Sequence, residues 1–79
     1  VVEHEVEIGD FSHISVNATI AGRTRVGANV MVGAGAVIID SVTVCDDVIV
    51  GAGAVVVSDI TEPGTYIGIP ARRIVKTLL

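Results

Sequence analysis

The chain has 79 residues, a formal net charge of −4 and a mean hydropathy of +0.75, and its 51% of apolar residues include only one Phe and one Tyr. A compact globular core normally uses bulkier side chains, so this composition argues for another architecture. The acidic balance argues against nucleic acid as a partner, and no apolar stretch approaches the ~20 residues that span a bilayer.

Aliphatic residues recur every six positions from Val2 onwards, and the fifth position of each hexad is small or β-branched. No charge occupies either column. A helical period would drift out of phase with a six-residue repeat, whereas alternate residues of a strand share a face. The period predicts a parallel β-helix of stacked coils. The first positions are Val2, Ile8, Ile14, Ile20, Val26, Val32, Ile38, Val44, Val50 and Val56, and the fifth are Val6, Ser12, Ala18, Thr24, Val30, Ala36, Val42, Val48, Ala54 and Ile60.

The second position of many hexads is also small, as at Gly9, Gly27 and Gly33, although Ile39 and Cys45 depart from this preference. We expect these glycines where the backbone bends between flat faces. Cys45 is the single cysteine, so there is no disulfide framework or metal knuckle, and a reducing, cytoplasmic location is expected.

Two segments are predicted. Residues 1–61 form the β-helix, and because Val2 is already in phase we expect this domain to lack its N-terminal portion. Residues 62–79 form a C-terminal turn, Glu62-Pro63-Gly64, and a short capping helix. The helix is predicted because four apolar residues after Pro70 have helical spacing: Ile74, Val75, Leu78 and Leu79.

The opening stretch Val2–Ile14, V-E-H-E-V-E-I-G-D-F-S-H-I, resembles the active-site segment of one branch of the hexapeptide-repeat acyltransferases. That branch contains sialic-acid O-acetyltransferases and nucleotide-amino-sugar N-acetyltransferases. The V-G-A-G-A-V hexads at 32–37 and 50–55 and the G-I-P-A-R segment at 68–72 are similar to it as well. The hexads are specific for the fold, and the H-E-x-x-x-G-D-F-x-H spacing is more selective for function. The resemblance implies a left-handed β-helix with three hexads per triangular coil, a homotrimer, and acetyl-CoA as co-substrate.

His4 is the candidate general base. An amine or hydroxyl that attacks a thioester must lose a proton, and a neutral imidazole is well suited to accept it. Glu5 follows directly, and a carboxylate beside an imidazole fixes its tautomer, which is the role that the resemblance implies for this Glu. The alternative is an exposed corner histidine on an acidic edge formed by Glu3, Glu5 and Glu7.

His13 lies nine residues beyond His4, which is half of an 18-residue coil. At ~3.3 Å per residue around the prism, the two side chains should be on the order of 15 Å apart, too far to share a proton directly. The resemblance implies that His13 contacts the acetyl donor in a groove between subunits. A solvent-facing residue at the end of a hexad is the alternative.

Ala34 and Ala52 are 18 residues apart and should stack on successive coils. Their small side chains make a smooth wall along which a pantetheine arm can lie, and the resemblance implies donor contacts there. The alternative is that tight corners favour small residues. Three basic residues near the C-terminus could meet the phosphates of CoA or form a solvated helix face: Arg72, Arg73 and Lys76.

The resemblance, together with His4, therefore implies an acetyl-CoA-dependent acetyltransferase that acts by direct transfer on an amino group or hydroxyl of a sugar or nucleotide-activated sugar, without a metal. Asp10, Ser12 and His13 are too close along one strand to form a catalytic triad. A zinc-dependent β-helix carbonic anhydrase needs three histidines, and this chain has two. The competing class is a non-catalytic β-solenoid that serves as a trimerisation or binding module.

Overall fold

The computed structural model describes residues 1–74, which form a parallel β-solenoid of short strands. The strands are β1 (Glu7–Ile8), β2 (His13–Ile14), β3 (Thr19–Ile20), β4 (Arg25–Val26), β5 (Met31–Val32), β6 (Val37–Ile38), β7 (Thr43–Val44), β8 (Val48–Val50), β9 (Val55–Val56), β10 (Gly64–Ile67) and β11 (Arg72–Arg73).

The strands form three sheets, each named here by its first strand. The β1 sheet has the order β1-β4-β7, the β3 sheet β3-β6-β9, and the β2 sheet β11-β10-β8-β5-β2. Glu7 pairs with Arg25 and Arg25 with Thr43, so one coil takes 18 residues. All pairs are parallel except β10 with β11. This is the all-β parallel β-helix that the sequence predicts, and its three sheets are consistent with the left-handed form.

The core consists of the two predicted columns. From Ala18 to Ile60, every first- and fifth-position residue of the hexads is buried. Thr24 is the buried polar member, and its Oγ1 donates a hydrogen bond to the Ile39 carbonyl at 3.0 Å. In the first coil Val2 and Ile8 are more exposed, because a neighbouring coil covers them on one side only. The aliphatic ladder therefore replaces a globular core.

The chain turns at the third and fourth positions of the hexads from 2–7 to 50–55, and the fourth residue of each adopts a left-handed conformation. These residues are Glu5, Phe11, Asn17, Arg23, Asn29, Gly35, Ser41, Asp47 and Gly53, with φ between 55° and 70°. The turns stack into three edges. The His4 edge contains the turns at 4–5, 22–23 and 40–41; the Phe11 edge those at 10–11, 28–29 and 46–47; and the Ala34 edge those at 16–17, 34–35 and 52–53.

The second-position glycines begin the turns, as expected: the Ala36 N–H donates to the Gly33 carbonyl at 3.1 Å, and the Ala54 N–H donates to the Gly51 carbonyl at 3.2 Å. These glycines are also required because the neighbouring coil lies very close. A Cβ on Gly33 would lie 2.6 Å from the Ala52 nitrogen, and one on Gly9 would lie 2.6 Å from the Gly27 carbonyl carbon. The short distance between stacked coils therefore favours glycine at these positions in addition to the turn.

The predicted C-terminal helix is wrong for the part of it that the structure describes. Residues 68–71 form a turn, and Arg72–Arg73 run antiparallel to β10. The backbone N–H groups of Ala71 and Ile74 donate to Val55 and Thr65 carbonyls of the solenoid, so sheet pairing takes the donors that a helix would use. Strand β11 also covers the otherwise open edge of β10. Residues 75–79, where the helix was also predicted, lie outside the described residues.

No helix in residues 1–74 is long and apolar enough to cross a membrane.

Candidate active site

His4 and Glu5 form the first turn of the His4 edge, between the bridge that Val2 makes to Ile20 and strand β1. The imidazole Nε2 lies 3.6 Å from Glu5 Oε1, and both side chains are exposed, the imidazole by 92%. The ring is therefore open to an incoming substrate on one side and has a carboxylate at its other side. This arrangement is suited to general-base catalysis.

His4 and Glu5 line an open depression of about 320 Å³ together with Gly22, Arg23 and Asp40. The depression spans three stacked turns of the His4 edge. The backbone N–H of Arg23 donates to the His4 carbonyl at 3.2 Å, which fixes the second turn against the first. Gly22, Arg23 and Asp40 were not among the residues predicted from the sequence. The signal was available, because Gly22 and Asp40 follow His4 by one and two coils.

The side wall of the depression is an ion pair between Arg23 and Asp40. Arg23 Nη2 lies 3.5 Å from Asp40 Oδ2, and both groups are largely exposed. Gly22 lies between His4 and Asp40 in the same column and contributes no side chain, so the floor stays open. The depression thus presents an imidazole, a guanidinium and two carboxylates to solvent.

His13 lies on β2, where it pairs with Met31 and points outward. The structure does not bring it to His4, because β1 and the turn at 10–11 separate the two residues. Ser12 faces inward between them. Its Oγ donates to the Gly27 carbonyl at 2.7 Å and accepts from the Val30 N–H at 2.9 Å, so it is engaged in holding coils together. The geometry agrees with the rejection of a triad.

Ala34 and Ala52 stack on the Ala34 edge, and both are exposed. The Gly53 N–H donates to the Ala34 carbonyl at 2.9 Å, which joins the two turns. A Cβ on Gly35 or Gly53 would meet nothing within 4 Å, so the surface beside the alanines is unobstructed. The β3 sheet separates this edge from the His4 edge. Within one chain, His4 and the alanine wall are therefore not brought together.

The C-terminal basic residues are partly engaged with their own surroundings. Arg73 Nη1 lies 3.2 Å from Glu62 Oε2, and Arg72 Nη1 donates to the Ala71 carbonyl at 3.3 Å. Lys76 lies outside the described residues. Among residues 1–74, no three His, Cys, Asp or Glu side chains are placed to hold a metal ion.

Comparisons with known proteins agree with the repeat. Residues 23–58 match the family described as bacterial transferase hexapeptide (six repeats). The matched residues and the fold are similar to those of the hexapeptide-repeat acyltransferases.

Three solved structures illustrate the likeness. The chain superposes with a TM-score of 0.82 on a variant of AntD, an N-acyltransferase from Bacillus cereus in complex with dTDP and coenzyme A, at 22% identity over 87% of this chain. On a serine acetyltransferase in complex with CoA it superposes with a TM-score of 0.73, at 28% identity over 92% of this chain. On a variant of GDP-perosamine N-acetyl transferase from Caulobacter crescentus, in complex with CoA and GDP-perosamine, the TM-score is 0.54, at 26% identity over 96% of this chain. The chain spans 50%, 37% and 53% of the lengths of these three proteins.

Proposed function

We propose that this chain carries the catalytic part of an acetyl-CoA-dependent acetyltransferase that acetylates an amino group or hydroxyl of a sugar or nucleotide-activated sugar. The observation that carries the proposal is the His4–Glu5 pair, 3.6 Å apart on an open edge of a hexapeptide solenoid. The serine acetyltransferase and the GDP-perosamine N-acetyl transferase, both in complex with CoA, support acetyl-CoA as the donor. A cytoplasmic location is part of the proposal, since the single cysteine offers no disulfide framework.

In this proposal His4 acts as the general base. Its imidazole accepts the proton of the acceptor N–H or O–H as the new bond to the acetyl carbon forms, and Glu5 orients the ring and stabilises its protonated form. Acetyl-CoA supplies an activated acyl group, and the CoA thiolate leaves and takes up a proton. No covalent enzyme intermediate is needed, because donor and acceptor are held side by side.

The donor would lie along the Ala34 edge, with His13 as a further contact. The exposed alanines and the open space beside Gly35 and Gly53 fit a thin pantetheine arm whose amides can bond to backbone groups. Since His4 is on a different edge, a neighbouring subunit would have to complete the site. A homotrimer supplies such a neighbour by rotation.

Assays with acetyl-CoA and three acceptors test the proposal. GDP-perosamine and maltose represent a nucleotide-activated sugar and a free sugar, and L-serine is the non-sugar comparison. We expect His4→Ala to lower kcat by about 10²–10⁴-fold, the usual contribution of a general base, while the Kd for acetyl-CoA stays within twofold. His13→Ala is the matched comparison, since it should mainly raise KM for acetyl-CoA. Wild-type turnover by the His4 variant would refute the assignment. A wild-type chain that neither binds CoA nor turns over any acceptor would favour the non-catalytic module.

A further inference from the structure

We infer that the Asp40 carboxylate binds the acetyl donor by accepting a hydrogen bond from the second amide N–H of its pantetheine arm, and that Arg23 is the positioning residue for this carboxylate. The inference rests on the proposed function, since it assigns a further residue on the His4 side of the donor groove between subunits. Neither residue belongs to the H-E-x-x-x-G-D-F-x-H segment. Both come to the depression only through the stacking of coils.

The first argument is that Asp40 and the alanine wall lie at the same height along the solenoid. Twelve residues separate Gly22 from Ala34, and twelve separate Asp40 from Ala52, so each pair belongs to one coil. In a trimer whose threefold axis is parallel to the solenoid, rotation does not shift one subunit along another, so equal heights are preserved. Asp40 then faces the partner subunit's Ala52 across the groove.

The second argument is a match between two repeat distances. Asp40 follows His4 by two coils, and successive coils lie ~4.8 Å apart, so the two residues are separated by roughly 10 Å along the solenoid. An extended chain advances about 1.2 Å per bond. In acetyl-CoA, four bonds lead from the thioester carbonyl carbon to the first amide nitrogen and four more to the second, about 5 Å and about 10 Å away. With the acetyl group at His4, the second amide therefore reaches Asp40.

The third argument is the direction of the hydrogen bonds. The backbone N–H groups of Ala34 and Ala52 donate to no described residue. The equivalent N–H of Ala28 donates to Asp46 Oδ1 at 2.8 Å, which shows that an acceptor outside the turn can reach this position. The pantetheine carbonyls are such acceptors. Because a trans amide points its C=O and N–H in opposite directions, the amide N–H groups then point toward the His4 edge and need an acceptor there.

Asp40 is the acceptor at the height of the second amide. A carboxylate only accepts hydrogen bonds. Its Oδ2 lies 3.5 Å from Arg23 Nη2 and the side chain is 62% exposed, so the other carboxylate oxygen is open to a ligand. Gly22, in the preceding turn, contributes no side chain, and its carbonyl already accepts from the Ser41 N–H at 3.0 Å. The Arg23 guanidinium offsets the charge of Asp40 and so limits its repulsion of the donor's phosphates.

The Glu7–Arg25 pair on the β1 sheet provides the control. Arg25 Nε lies 3.7 Å from Glu7 Oε2, with side chains that are 71% and 74% exposed. This pair has the same charges and similar exposure but does not line the depression. Glu7→Ala therefore changes the net charge of the chain as much as Asp40→Ala does, without removing the proposed acceptor.

The test shortens the donor as well as the side chain. Asp40→Ala, Asp40→Asn and Arg23→Gln are compared with Glu7→Ala, and CoA is the ligand for equilibrium binding. Turnover is measured with three thioesters. Acetyl-CoA and S-acetylpantetheine have both amides, whereas S-acetyl-N-acetylcysteamine has only the first. The acceptor is the one among GDP-perosamine, maltose and L-serine that the wild type acetylates fastest.

We expect Asp40→Ala to raise the Kd for CoA by about tenfold, the contribution of one hydrogen bond to a charged group, and to lower kcat/KM equally for both two-amide thioesters. For S-acetyl-N-acetylcysteamine, kcat/KM should stay within about twofold, since this donor does not reach Asp40. Asp40→Asn keeps an uncharged acceptor and should lose about threefold. Arg23→Gln should lose about two- to threefold alone and nothing further when combined with Asp40→Ala, as a positioning residue requires. Glu7→Ala should behave as wild type.

The outcomes separate the two levels of the proposal. If the wild type binds CoA and acetylates a sugar but Asp40→Ala keeps the wild-type Kd for CoA, this inference is wrong and the proposed function stands. An equal loss with S-acetyl-N-acetylcysteamine, or in Glu7→Ala, would also overturn it, because the effect would then lie at the reacting centre or in overall charge. If melting curves show that Asp40→Ala is not folded, Asp40→Asn decides with the same donors. If the wild type binds no CoA, the donor groove and this inference fail together.

Discussion

The side chains of His4 and Glu5 lie 3.6 Å apart although the residues are consecutive in the chain. In an extended strand, neighbouring side chains point to opposite faces. Here Glu5 has a φ of 61°, and this left-handed turn places its carboxylate on the same side as the imidazole. The pair therefore depends on the backbone conformation of the edge as well as on the identity of the two residues.

The carboxylate of Glu5 can be tested separately from its shape. Glu5→Gln keeps the size of the side chain but removes its charge, so the protonated imidazole loses stabilisation. We expect kcat to fall by about tenfold, less than for His4→Ala, with little change in the Kd for acetyl-CoA. Steady-state kinetics and calorimetric titration provide the two values.

Glu7→Gln is the control for that substitution, because Glu7 is two residues away and is engaged with Arg25. Equal losses in the Glu5 and Glu7 variants would mean that the acidity of the edge, and not the His4–Glu5 pair, affects turnover.

A site shared between subunits predicts complementation. His4→Ala keeps the alanine wall intact, and Ala34→Trp should block the wall while keeping His4. Each variant refolded alone should be inactive, but mixed trimers should regain part of the activity, because some interfaces pair an intact His4 with an intact wall. Mass spectrometry shows whether mixed trimers have formed. If they form from folded chains and stay inactive, the site lies within one subunit.

The two glycines of one V-G-A-G-A-V hexad should respond differently to alanine. A Cβ on Gly33 would meet the Ala52 nitrogen at 2.6 Å, so the next coil must shift. We expect Gly33→Ala to lower the free energy of unfolding by about 3 kcal/mol or more, at the upper end for overpacking. Gly35 has a φ of 70° and open space around it, so Gly35→Ala should cost only about 1 kcal/mol. Denaturant titration of both variants checks the order, and a larger loss for Gly35→Ala would contradict the close-packing argument.

Phe11 is 89% exposed and has a left-handed φ of 61°, an unfavourable conformation for an aromatic residue. Asn17 and Asn29 occupy the equivalent position in other turns. If the ring makes no contact in the assembled protein, Phe11→Asn should raise the free energy of unfolding by about 0.5–1 kcal/mol. Thermal unfolding at several protein concentrations measures this. A concentration-dependent loss of stability would instead show that the ring is buried against a partner.

Much of the fold could be predicted from the sequence, because both inward columns follow a six-residue period that a helix cannot keep. The left-handed conformation of the turns could not be predicted from the residue types. Glu5, Phe11 and Arg23 are not residues that favour this conformation, and only their common place in the hexad reveals it. The C-terminal segment was misassigned because a short apolar run, such as the one that includes Ile74, fits a helix or a strand equally well. The open edge of β10 determines that this segment forms a strand, and only the structure shows that edge.

The candidate site was predicted only from residues that are neighbours along the chain. His4 and Glu5 were identified because they are adjacent in a selective segment. Arg23 and Asp40 were missed because they reach the site across coils, and repeat spacing places their backbones without fixing the direction of long side chains. The roles of His4, Glu5, His13, Ala34 and Ala52 stay predictions.

The coil of 18 residues has a consequence for how such a protein can change. Glu7, Arg25 and Thr43 lie in one sheet because each follows the one before it by a full turn of the prism. Loss or gain of six residues would keep the aliphatic columns in phase, yet it would move every later turn to the next edge and take Asp40 away from His4. Only whole coils can be inserted or removed without moving such groups around the prism. The fold therefore tolerates insertions or deletions of six residues, whereas a site built across coils tolerates only insertions or deletions of whole 18-residue coils.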